Sequence, residues 1–170
     1  MVLNIYTDGA HSSKSNVGGW AIVIPTQNEE RPYISYGDWI FETTNNRMEL
    51  TAILKALEYI YDHWAYQSIY NNDAFEGASI YTDSAYISNC FKNGWYKSWR
   101  KNGWKTSKKE PVANQDLWEH ILYYYELIPN IAITKVEAHT NNTWNNIADK
   151  LAVQYRIAGA EILTKGENNG

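Results

Sequence analysis

Ile5-Tyr6-Thr7-Asp8 and Ile80-Tyr81-Thr82-Asp83 are one tetrapeptide written twice, in two distant parts of the chain. Each copy is a β-branched and aromatic run that ends in an aspartate and then a small residue, Gly9 or Ser84. That is the pattern of a buried strand whose last side chain is a carboxylate at the sheet edge. Side by side, the two strands bring two acids to one spot. Like charges that close do not both stay ionised cheaply unless a cation sits between them. The repeat therefore predicts a metal site at the edge of a sheet.

Outward from the first copy, strands are expected over 2–8, 20–24 and 33–41, with turns at Gly18-Gly19 and Gln27-Asn28-Glu29-Glu30. A helix over 46–64 and a polar loop over 65–77 lead to the second copy, a strand over 79–83. A short helix to Phe91, a basic segment closed by Pro111, a helix over 114–128, a strand over 131–138 and a helix over 145–158 ending at Gly159 complete the order. Strands first, then strand and helix in alternation, predict an α/β domain around a mixed five-stranded sheet flanked by helices. Residues 1–158 are expected to form that single domain, and 159–170 a flexible tail.

The helix over 46–64 carries a third acid. Asn46 and Glu49 fit an N-cap and its N3 partner, so a capping box is the plain reading of Glu49. Helical geometry sets another beside it. At 100° per residue, Glu49 falls within the stripe of Ala52, Ile53, Ala56, Leu57, Ile60 and Trp64, while Arg47, Thr51, Lys55, Glu58 and Asp62 lie opposite. A carboxylate on the buried stripe points at the sheet, which favours a functional role. A fourth acid, Asp149, lies early in the last helix, just after His139 and the polar loop Thr140-Asn141-Asn142-Thr143.

Carboxylates without cysteine or clustered histidine are hard oxygen ligands, suited to Mg²⁺ or Mn²⁺ rather than zinc. Two such ions activate a water and stabilise the leaving oxygen in phosphodiester hydrolysis. A net charge of −4 speaks against general nucleic-acid affinity, yet it hides an asymmetry. Lys92, Lys97, Arg100, Lys101, Lys105, Lys108 and Lys109 follow one another without an intervening acid, while the other eight basic residues face all 19 acids. One compact positive patch on an acidic body suits phosphate binding. Trp95, Trp99 and Trp104 interleave with it, either to meet sugars and bases or to brace the segment.

In order and spacing, Asp8-Gly9-Ala10, Thr43-Thr44-Asn45-Asn46-Arg47-Met48-Glu49-Leu50, Thr82-Asp83-Ser84 and Asn145-Asn146-Ile147-Ala148-Asp149-Lys150-Leu151-Ala152 closely resemble type 1 ribonuclease H. The stretch from Gly94 to Thr106 looks like that family's basic helical protrusion. The resemblance implies a ribonuclease H-like fold and endonucleolytic cleavage of the RNA strand of an RNA–DNA hybrid, leaving 5′-phosphate and 3′-hydroxyl ends. It assigns two Mg²⁺ ions, or Mn²⁺ in their place, to Asp8, Glu49, Asp83 and Asp149, and a part in proton transfer or product release to His139. Asn45 and Asn46 match positions beside the RNA strand, and Thr44 and Asn114 a pocket for a DNA phosphate. Trp95 matches an aromatic against the DNA sugar, and Trp99, Lys97, Arg100 and Lys101 belong to the gripping segment. Glu42 departs from the pattern, standing where the family often has a phosphate-binding arginine.

Three other readings stand beside this one: a binding-only domain of the same fold, a DNA nuclease of the same superfold, and a metal-dependent phosphatase. The four acids disfavour the first, the Asn-Asn-Arg-Met-Glu run the second, and the tryptophan-rich basic segment the third. No signal peptide or membrane span is visible, and the one cysteine, Cys90, reads as a buried structural thiol. A cytoplasmic monomer is the expectation.

Overall fold

The computed structural model describes residues 2–70, 75–137 and 141–170. Strands β1 (Leu3–Ser12), β2 (Val17–Pro25) and β3 (Tyr33–Phe41) form an antiparallel meander. Helix α1 (Asn45–Tyr70) crosses to β4 (Ala78–Thr82), which pairs parallel with β1. Helices α2 (Ala85–Asn93), α3 (Trp95–Asn102) and α4 (Gln115–Leu127) precede β5 (Ile131–Lys135), parallel to β4, and α5 (Thr143–Asn168) closes the chain. The sheet order is β3-β2-β1-β4-β5, a mixed five-stranded sheet with helices on both faces. No helix among the described residues is long and apolar enough to cross a membrane.

The repeated tetrapeptides meet in register: Ile5 lies opposite Ile80 and Tyr6 opposite Tyr81. The tyrosines stack with ring centroids 4.6 Å apart, and Thr7 Oγ1 donates to the Tyr81 carbonyl at 2.9 Å. Both strands therefore deliver their aspartates to one place, but only β4 ends there. Strand β1, expected to stop at Asp8, runs on to Ser12 because β2 still pairs with it, so Asp8 lies within its strand.

Helix α1 packs on β1, β2 and β4 from one face, and α5 packs on β1, β2 and β3 from the other. Strand β2 lies between them, so all of its residues before Pro25 are buried. This corrects the turn expected at Gly18-Gly19. Both glycines sit inside β2, and the turn falls just before it. A Cβ on Gly18 would meet the Met48 side chain at 2.5 Å, and one on Gly19 would meet the Ala152 carbonyl oxygen at 2.2 Å. The pair exists because two helices press on the strand from opposite sides.

Two helices outrun expectation. Helix α1 continues through Ala65 to Tyr70, into the stretch read as loop, and residues 71–74 lie outside the described set. Helix α5 passes Gly159 and runs on to Asn168, over the stretch expected as tail. Gly159 is not a helix stop: a Cβ there would lie 2.7–2.8 Å from Trp39, so the glycine admits an edge-strand indole. Helix α1 also buries more than the single stripe. Leu50, Thr51 and Leu54 are buried as well, because α4 packs against the helix beside the sheet.

Candidate active site

Glu49 reaches the sheet edge because helix α1 starts close above β1. Its N-cap is Thr44, not Asn46: Thr44 Oγ1 accepts from the Arg47 amide at 3.2 Å. Glu49 is thus not the reciprocal partner of a cap at Asn46. Close approach depends on Gly9, where a Cβ would lie 2.5 Å from the Glu49 nitrogen. In the sequence Gly9 is marked only as the small residue that follows Asp8, not as the point of contact with α1. The signal available was a glycine directly after the acid, inside a strand that runs on to Ser12.

Asp83 follows the last residue of β4, between two local hydrogen bonds that fix the turn. The Ser84 amide donates to Thr82 Oγ1 at 3.1 Å, and Ser84 Oγ caps α2 by accepting from the Ile87 amide at 3.2 Å. Asp149, half-buried on α5, comes close enough from the opposite face to help raise the Asp8 carboxyl. One oxygen each from Asp8, Glu49 and Asp83 lies within 4.8 Å of the others. All four acids are thereby brought to one edge. His139 lies outside the described residues.

The electrostatics follow from this crowding. Burial first, then the Asp83 charge, push the Asp8 carboxyl up to about 8. Burial, then the charges of Asp8 and Asp83, hold Glu49 well above the usual carboxylate range. No lysine or arginine forms an ion pair with Asp8 or Glu49 among the described residues. Glu49 Oε2 is buried without a hydrogen-bond partner, and such an atom is costly unless a cation or donor meets it. An all-oxygen set with an orphaned buried ligand atom fits a divalent cation of the Mg²⁺ class.

Around this centre, Thr44, Asn45 and Asn46 are exposed at the start of α1. Arg47, which the sequence placed on the solvent face, joins that start to α4. Its guanidinium donates to Asn114 Oδ1 at 3.1 Å and to both Asp116 oxygens at 2.9 and 3.0 Å. This pairing lowers the Asp116 carboxyl to about 2. Asn114 itself holds a left-handed backbone with φ 62°, a conformation asparagine tolerates better than most residues.

The basic segment divides between charge and brace. Lys97 and Lys101 are exposed on α3. Arg100 is committed to Glu126 through two contacts of 2.6 and 2.8 Å and lies 5.7 Å from the Tyr96 ring centroid. Trp99 is only 9% exposed, with its ring 5.5 Å from Trp118 and 5.9 Å from Trp104, so it braces the helix. Trp95 lines a groove of about 580 Å³ beside it, with Asn102 and Lys105. Cys90 is buried and its thiol is pushed up to about 12, which suits a structural role.

The family model for RNase H matches residues 1–157. Ribonuclease H of Thermoanaerobacter pseudethanolicus is 37% identical over 155 residues, covering 90% of this chain and 88% of the relative. Ribonuclease H of Chlorobaculum parvum is 38% identical over 150 residues, covering 88% and 92%. Among solved structures, the PFV RNase H domain superposes with a TM-score of 0.68 at 26% identity, over 92% of this chain and 94% of that one. LC11-RNase H1, solved in complex with an RNA/DNA hybrid, has a TM-score of 0.63 over 92% and 98%, and its 21% identity speaks to the fold alone.

Proposed function

This chain belongs to the ribonuclease H family of nucleases, and from that premise we propose that it cuts the RNA strand of RNA–DNA hybrids internally, as a cytoplasmic monomer. The observation that carries the reading is the convergence of Asp8, Glu49 and Asp83, with Asp149 close to Asp8 and Glu49 Oε2 left without a partner. These four acids would hold two Mg²⁺ ions, with Mn²⁺ as a substitute. When bound, these ions would contribute an activated water and charge neutralisation at the leaving oxygen, a chemistry that would leave 5′-phosphate and 3′-hydroxyl ends.

The chain's own residues do the rest. Asn45 and Asn46, exposed at the start of α1, would read 2′-hydroxyls on the RNA strand. Thr44 and Asn114, each hydrogen-bonded to Arg47, would receive a phosphate of the DNA strand. Trp95 meets a DNA sugar, and Lys97 and Lys101 hold phosphates electrostatically. Arg100 and Trp99 shape the segment that presents them. His139 assists proton transfer or product release.

One labelled sequence, presented as RNA–DNA hybrid, RNA duplex, DNA duplex and single-stranded RNA, tests this with Mg²⁺ and with chelator. Metal-dependent internal cuts confined to the hybrid's RNA strand are expected. Tight hybrid binding without cutting in either Mg²⁺ or Mn²⁺ would leave a binding-only domain. Cutting of duplex DNA would point to a different nuclease of the same superfold.

A further inference from the structure

A second recess lies on the α1 face of the sheet, well away from the carboxylates. Helix α1 packs over β1, β2 and β4 but leaves the edge strand β3 largely uncovered on this face. The gap is a groove of about 740 Å³, floored by Trp20 and Ile22 and walled by Tyr36 from β3 and by Tyr59 and Tyr66 from α1. That volume is in the range of small-molecule sites, roughly 300–1,000 Å³. Tyr59 is ten residues beyond Glu49 on the same helix, roughly 15 Å along its axis. The groove is therefore distinct from the hydrolytic site.

Its chemistry is aromatic and acidic. Tyr36 and Tyr59 lie with ring centroids 5.9 Å apart, and Tyr59 stacks on His63 at 6.5 Å and 14°. Tyr36 is 50% exposed and Tyr66 62% exposed, so ring surface is open to a ligand. The one lysine in the lining, Lys55, is taken by Glu58 at 3.1 Å. Asp62, one turn on, forms no ion pair among the described residues and leaves the groove with an excess negative charge. Gln67 also lines it, and its Oε1 is buried without a hydrogen-bond partner.

Ring faces carry negative potential and attract a cation within about 6 Å of the centroid, more strongly as water is excluded. We propose that this groove binds a small organic cation, an ammonium or guanidinium group on an apolar skeleton. The skeleton would lie over Trp20 and Ile22, and the charge among Tyr36, Tyr59 and Asp62. An anion would meet Asp62 and the π faces unfavourably, and a neutral ligand would leave that carboxylate uncompensated.

The test uses the full chain and benzylammonium as the probe, with benzyl alcohol and benzoate as its neutral and anionic counterparts. Resonance shifts of the Tyr36, Tyr59 and Tyr66 rings report binding and its place. Benzylammonium is expected to bind about tenfold more tightly than benzyl alcohol, within the range of a partly desolvated cation–π contact. Asp62→Asn and Tyr36→Leu, both at exposed positions, are each expected to weaken it about threefold or more while hybrid cleavage stays unchanged. Equal binding of the alcohol, preference for benzoate, shifts confined to other residues, or affinity indifferent to both variants would overturn the proposal.

Discussion

Replacing Asp8 by asparagine is expected to stabilise the metal-free protein while abolishing turnover. The Asp8 carboxyl ionises near 4 when unfolded and is held up to about 8 in the fold, by burial and then by Asp83. Below about pH 4 both states hold the proton and the native state bears no penalty. As pH rises towards 8 the unfolded chain releases the proton and the folded chain retains it, so stability falls across that window. At about 1.4 kcal/mol per pH unit, the whole effect is bounded at roughly 6 kcal/mol. A buried amide that meets imperfect partners returns about 1–3 kcal/mol of this. A net gain of at most about 3–5 kcal/mol near pH 8 is expected, which is on the order of 6–20 °C in Tm for a domain of this size. The assay is thermal or urea unfolding in chelator from about pH 4 to pH 8, repeated with Mg²⁺. In chelator the variant should be the more stable and the flatter with pH. Glu49 keeps some slope, since burial alone already raises its carboxyl. Added Mg²⁺ should stabilise the wild type by mass action and the variant less, narrowing the gap. A variant no more stable than wild type near pH 8 in chelator, or one with the same pH slope, would refute the picture of mutually strained carboxylates.

Gly9→Ala places a Cβ 2.5 Å from the Glu49 nitrogen, so α1 must lift from β1. A loss of about 1–3 kcal/mol in unfolding experiments is expected, with Mg²⁺ affinity falling more than hybrid affinity. Thr44→Ala removes the cap of α1 and should cost about 1 kcal/mol, whereas Asn46→Ala should cost much less; the reverse order in urea titrations would restore the cap to Asn46. Lys97→Ala with Lys101→Ala should reduce the salt slope of hybrid binding by about 2. Arg100→Gln should change that slope little, because Glu126 already holds the guanidinium, and a drop as large as for the lysines would show Arg100 on phosphate.

Much of the site was legible along the chain because its information is periodic and local. The Ile-Tyr-Thr-Asp repeat encodes two strands of like pattern, and parallel pairing aligns them so that both aspartates emerge at one edge. Glu49 was readable from the 3.6-residue period, since an acid on an apolar stripe must be buried with it. Burial of Trp99 and the pairing of Arg100 with Glu126 were not readable. Both residues carry the composition of a nucleic-acid grip, and only the packing of α3 on α4 separates brace from contact.

Sequence by itself determined the two strands of like pattern, the identity of the acids and their oxygen-ligand chemistry, while their parallel pairing is a property of the fold. Tertiary structure alone decided how near the elements come. Gly18, Gly19 and Gly159 look like punctuation in one dimension, yet each marks a place where a helix and a strand touch too closely for a Cβ. The tie from Arg47 to Asn114 and Asp116 likewise joins segments 67 and 69 residues apart. Periodicity is a property of neighbours along the chain, whereas close approach and long-range charge pairing depend on which surfaces the folded layers bring together.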